Sequence, residues 1–198
     1  MSQRPHHRPS TPGDAFFAEL SGGVDPALLT ESAERAATVL VRGARDAESA
    51  EIADRLVLLA ETEGLETLAE LWAGAPPDSL AGCLWRLYLL RTWVYAEPAR
   101  VAAEFEAGRL RAQVARVVAG VADPPGPEEV KVMIDQVLRG IAQGDFADVL
   151  LRAAAFARVV ATGRAVLPAE SGADAARMLV LAEQLESAGH VELAHGLG

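Results

Sequence analysis

Apolar positions along the chain recur at intervals of three and four, the spacing that gathers them on one side of a helix. Val130, Ile134, Val137, Leu138 and Ile141 form the clearest such stripe, with Lys131, Asp135 and Arg139 four apart on the polar side. Pro127 stands where a first-turn proline belongs, and Glu128 and Glu129 suit the positive end of the helix dipole. Upstream, Asp25 before Pro26 predicts a helix that stops at Gly43. A second runs from about Asp46 to Gly64 with Ile52, Leu56 and Leu59 on one stripe, and a shorter one ends at Gly74. The stretch PPDS, residues 76–79, breaks the chain and offers Asp78 or Ser79 as the cap of a helix ending before Pro98. Two short helices are expected over 98–107 and 109–119, split at Gly108, ahead of the strongest break, DPPGP at 123–127. Gly144 ends the next helix and Asp145 caps an alanine-rich one over 145–162, whose Ala153, Ala154, Ala157 and Ala161 admit a close neighbour. A last helix spans about Ala173 to Ala188.

No segment alternates with period two between hairpin turns, so no significant sheet is expected. The predicted fold class is all-α: a compact bundle of about 8–10 antiparallel helices. It forms one domain over 14–198 behind a disordered tail at 1–13, and 123–127 is a candidate subdomain break. Glycines 43, 74, 108 and 144 are 31, 34 and 36 residues apart, which makes a stack of helical-hairpin repeats the runner-up.

One helix does not follow the amphipathic pattern. In CLWRLYLLRTWVYAEP, residues 83–98, apolar side chains point in every direction. Leu80, Leu84, Leu87 and Val94 fall on one side with Arg91 among them, Leu90 and Trp93 on another with Arg86, and Trp85 and Leu89 on a third. A helix apolar all round is buried on all sides, so this one is expected at the centre. Its two arginines then need partners, because an unpaired buried charge costs several kcal/mol. The acidic helices of the N-terminal half are the expected source. The competing reading is an exposed aromatic and arginine patch of the kind enriched at protein interfaces.

Charge supports that pairing. The net charge of −10 is uneven: residues 14–78 carry 14 acids against 4 arginines, and residues 79–122 carry 6 arginines against 3 acids. The remainder, 123–198, holds 11 acids and 6 bases. A pI near 4.9 argues against nucleic acid as partner, which calls for a strong basic face. No apolar run approaches the roughly 20 residues needed to cross a bilayer, and MSQRPHHRPSTPG has no apolar signal core, so a cytoplasmic, non-membrane protein is expected. The 17 arginines against one lysine fit a GC-rich, bacterial coding sequence and carry no functional weight.

Catalytic constellations are lacking. The four histidines, at 6, 7, 190 and 195, lie toward the chain ends, where an acid–base pair is hard to hold. Glu192 and His195 have metal-ligand spacing, but the second such unit of a helical metal site is missing, and a solvated helix end is expected. Cys83 reads as a small buried hydrophobe, the alternative being a thiolate activated by Arg86. Glu63, Glu66 and Glu70 read as a wet acidic face. No phosphate-binding glycine motif occurs. No cofactor and no metal are expected.

The expected role is therefore non-enzymatic: an interaction, scaffold or regulatory protein that binds a protein partner or a second copy of itself as a homodimer, through part of region 72–116. The candidate binding residues are Trp72, Trp85, Arg86, Tyr88, Arg91, Trp93 and Tyr95. The alternative is a small-molecule-binding protein or enzyme, with a pocket between helices lined by Trp72, Trp85 and Trp93 and an arginine meeting an anionic group.

Overall fold

The computed structural model describes residues 26–43, 47–62, 64–111, 124–139, 145–167 and 172–197. Among them are eight helices and no strand: α1 Pro26–Arg42, α2 Ala47–Thr62, α3 Leu65–Glu70, α4 Leu80–Ala96, α5 Pro98–Arg111, α6 Pro127–Leu138, α7 Phe146–Val166 and α8 Gly172–His195. The all-α class expected from periodicity is what the chain adopts. The tail 1–13, residues 112–123, Ile141 and Gly144 lie outside the described residues.

Local chemistry sets the helix ends. Gly43, Gly64 and Gly74 have φ of 77°, 93° and 80°, the left-handed region in which a helix is readily terminated by glycine. Ser79, not Asp78, caps α4: its Oγ accepts from the Gly82 amide at 3.1 Å. Glu34 of α1 completes that cap, its two carboxylate oxygens accepting from the Leu80 and Ala81 amides at 3.0 and 3.1 Å. This is a negative charge at the positive end of a helix. Asp145 caps α7 through the Ala147 amide at 3.0 Å, and Pro127 opens α6, with Glu129 reaching back to the Gly126 amide at 3.0 Å.

The helix expected to run to Gly144, α6, ends at Leu138, and two other boundaries differ from expectation. Gly108 does not split 98–111 into two helices; α5 runs straight through it, and α7 likewise runs through Gly163. The reason is packing. A Cβ on Gly108 would lie 1.9 Å from the Val159 carbonyl oxygen, and one on Gly163 would lie 1.7 Å from that of Glu104. These contacts run in opposite chain directions, so α5 and α7 cross antiparallel with their backbones touching, and Phe105 stacks on Phe156 at 5.5 Å beside the crossing. The second difference is α8, which extends beyond Ala188 to His195 and stops at Gly196, φ 78°. Its last turns are held because Glu192 takes both guanidinium nitrogens of Arg42 in α1, and accepts from the Leu197 amide at 2.7 Å. Glu192 is thus clasped, not solvated.

The core is layered around two helices. The alanine-rich α7 is buried along most of its length, including Ala153, Ala154, Ala157 and Ala161, and lies antiparallel between α5 and α8. The tryptophan helix α4 touches α1, α3, α5, α6, α7 and α8. In a repeat stack each unit meets only its neighbours. Here α1 packs on α4 and α6 and is clasped to α8, so the chain is a bundle closed on itself.

Candidate functional site

The candidate residues sit on or next to α4, and the structure sends them in different directions. Trp72, in the turn after α3, is wholly buried, and its Nε1 donor has no acceptor among the described residues. Tyr88 is buried and stacks on half-buried Trp85 at 5.7 Å. Tyr95, in the last turn of α4, is exposed on one side and roofed by Arg91, 4.4 Å from its ring centre, and Lys131 at 4.9 Å. Trp93 is half-buried beneath the Arg164 guanidinium, 4.3 Å from its ring centre.

Both arginines of α4 are partnered, though not by the acids of the N-terminal half. Arg91 pairs with Asp135 of α6, which also accepts from the Tyr95 hydroxyl at 2.7 Å. Burial pushes the Asp135 carboxyl up, but the hydrogen bonds from Arg91 and Tyr95 outweigh it and hold the carboxyl below its ordinary value. That same bond pushes the Tyr95 hydroxyl up, since Asp135 stabilises it protonated. Arg86 has no carboxylate within ion-pair distance among the described residues. Its Nε donates to Gln184 Oε1 of α8 at 2.7 Å and its other nitrogen to the carbonyls of Gly82 and Ala75, at 2.9 and 3.4 Å. Burial lowers its pKa. The N-terminal acids meet α4 elsewhere: Glu34 stands at its backbone N-terminus. A long-range pair is chosen by side-chain reach across packed helices, which segment charges do not record.

Behind Trp93 lies a network that sequence reasoning missed. Glu104 is 3% exposed and its carboxylate accepts from Arg100 Nε at 2.8 Å and Arg164 Nε at 2.7 Å. Only its place among arginines 100, 109 and 111 hinted at this. Glu106 and Arg109 of the same segment meet in the solvent at 3.7 Å. Arg86, Arg91, Arg100 and Arg109, four arginines of the basic segment, thus have intramolecular partners.

The thiolate alternative for Cys83 fails on physical grounds. The thiol is fully buried and burial pushes it up to about 12, while Arg86 opposes this only in part. It stays protonated and unreactive. Among the described residues no three metal-ligating side chains converge, and Glu192 of the Glu192/His195 pair is committed to Arg42. A half-open cleft of about 360 Å³ lies between α8 and the turn before α4, and Trp72, Trp85 and Trp93 are absent from its walls.

The expectation that α4 has no solvent side needs correction. Thr92, Trp85, Ala96, Leu89 and Trp93 share an arc of about 100°. Within it Leu89 is 43% exposed, Thr92 and Ala96 are exposed and the tryptophans half-buried. Two thirds of the helix faces the core and one third is open, because the neighbouring helices close around only one side. The open arc has no charged residue of its own, and the Arg164 guanidinium covers its Trp93 edge. No described helix is long and apolar enough to cross a membrane. Comparison of the chain with protein-family models, curated proteins and solved structures gives no significant match.

Proposed function

We propose that this protein is a non-enzymatic helical interaction protein that self-associates through the open arc of α4. The observation that carries the reading is the stripe of Trp85, Leu89, Thr92, Trp93 and Ala96 along one side of α4, which has no charged residue of its own and is left partly open by the neighbouring helices. A two-fold interface sets each residue near the axis against its own copy, so like charges there repel. A neutral aromatic and leucine stripe meets that requirement, and Trp and Tyr anchors are favoured at interface centres. The committed arginines of the 79–122 segment disfavour nucleic acid as partner, and the buried thiol offers no nucleophile.

Sedimentation equilibrium of the full chain and of Leu89→Glu tests the reading. The expected result is a dimer for the parent and a monomer for the variant, with the variant's helical circular-dichroism spectrum unchanged because Leu89 lies half in solvent. A parent that stays monomeric at every concentration, or a variant dimerising as well as the parent, refutes it.

A further inference from the structure

The cleft on the far side of Gln184 carries chemistry that the α4 stripe does not use. Its lining is apolar at Pro77, Val180, Ala188 and Val191, and carries two carboxylates, Asp78 and Glu183. Four long-range pairs tie helices together elsewhere: Arg91 with Asp135, Arg158 with Glu186, Arg42 with Glu192, Arg164 with Glu104. Asp78 and Glu183 form no salt bridge to a described residue, although Asp78 lies close enough to Arg86 to favour its charged form. Gln184 adds a third element. Because a guanidinium only donates, the amide must turn Oε1 toward Arg86, and its Nε2 donor is left without an acceptor among the described residues.

We infer that this cleft docks a basic amphipathic peptide segment of a partner protein. Charge complementarity selects the occupant: an arginine or lysine meets Asp78 and Glu183 while its apolar neighbours cover Val180 and Val191. The free Gln184 N–H donates to a carbonyl of the peptide, a feature an inorganic cation would not need. At about 360 Å³ the cleft takes one or two side chains and not a folded domain, as in recognition of a short segment by its anchors. This inference stands independently of self-association, since the cleft and the α4 arc share no residue.

The test is fluorescence anisotropy of the full-length protein with a fluorescein-labelled synthetic peptide of about four helical turns, leucines on one face flanked by arginines. A twin peptide carries glutamates for the arginines. The arginine peptide should bind and the twin should not. Asp78→Asn with Glu183→Gln should weaken binding roughly tenfold, the effect of losing two half-exposed ion pairs. Glu66→Gln with Glu70→Gln, exposed acids of α3, should leave affinity unchanged, which separates the cleft from general attraction to a chain of net charge −10. Absence of binding by the arginine peptide, equal affinity in the cleft variant, or equal weakening by the α3 variant overturns the inference.

Discussion

The crossing of α5 and α7 makes a prediction whose sign separates packing from intrinsic helix preference. Gly163→Ala places a methyl carbon 1.7 Å from the Glu104 carbonyl oxygen and 2.6 Å from its carbon. Ordinary contact is 3.4–4 Å, so the two backbones must part by about 1.5–2 Å, and neither atom is the mobile end of a side chain. That displacement loosens the Phe105–Phe156 stack and lengthens the Arg164–Glu104 bond, now 2.7 Å. Overpacking of this kind costs roughly 1–3 kcal/mol or more, and a clash with backbone belongs at the upper end. Alanine returns about 1 kcal/mol of helix propensity. The expected net loss is about 2 kcal/mol, or roughly 4–8 °C in melting temperature for a chain of this size. Urea denaturation followed by circular dichroism reads the difference, with Ala102→Gly on the exposed side of α5 calibrating the propensity effect. Gly108→Ala meets Val159 at 1.9 Å, and the double variant should lose less than the sum because one separation relieves both clashes. A Gly163→Ala protein as stable as the parent, or more so, would refute the reasoning.

Two further predictions concern charge. Glu104→Gln leaves Arg164, only 9% exposed, without its anionic partner and should cost about 3 kcal/mol in denaturant unfolding. Replacing both, Glu104→Leu with Arg164→Met, should recover part of that loss, and failure of the single variant to destabilise would mean the pair is wet. Glu192 and Asp135 are both held below their ordinary values of 4.5 and 3.8, Glu192 chiefly by the Arg42 hydrogen bond. A depressed folded pKa stabilises above the unfolded value and is lost as pH falls through the folded one. Melting temperature should therefore hold from neutrality to about pH 5 and drop steadily below pH 4.5, and Glu192→Gln should flatten part of that drop.

Much of the helix layout was legible because punctuation is local. A proline at a first turn, a serine or aspartate before it and a glycine or proline after the last turn act within a few residues; α1 and α4 begin and end where these signals stand, and α6 begins at its proline but stops at Leu138, short of Gly144. Gly108 misled for the same reason: in isolation a glycine weakens a helix, and only the opposing Gly163, 55 positions away, shows that it is there for its missing side chain. On α4, counting faces placed Leu84, Leu87 and Val94 correctly in the core but took every apolar direction as buried. Trp85 and Leu89 are as apolar as their neighbours, and nothing in hydrophobicity distinguishes a core face from an uncovered one. That Arg86 and Arg91 need partners followed from the cost of burying charge, while Asp135 and Gln184 as those partners followed only from three-dimensional packing. Asp135 was hidden by its place in a regular polar series with Lys131 and Arg139.

The clasp between Arg42 and Glu192 joins residues 150 positions apart. On the ribosome, at about 5–20 residues per second, the first helix is made roughly 8–30 s before the carboxylate that fastens it. During that interval its face toward α8 has nothing to meet, and Leu197, whose carbonyl also accepts from Arg42 at 3.4 Å, arrives later still. Closure of this bundle thus waits on the synthesis of its last described helix. A nascent chain stalled before Glu192 holds its first helix on α2, α4 and α6 without the clasp, a state that proteases and chaperones would meet first.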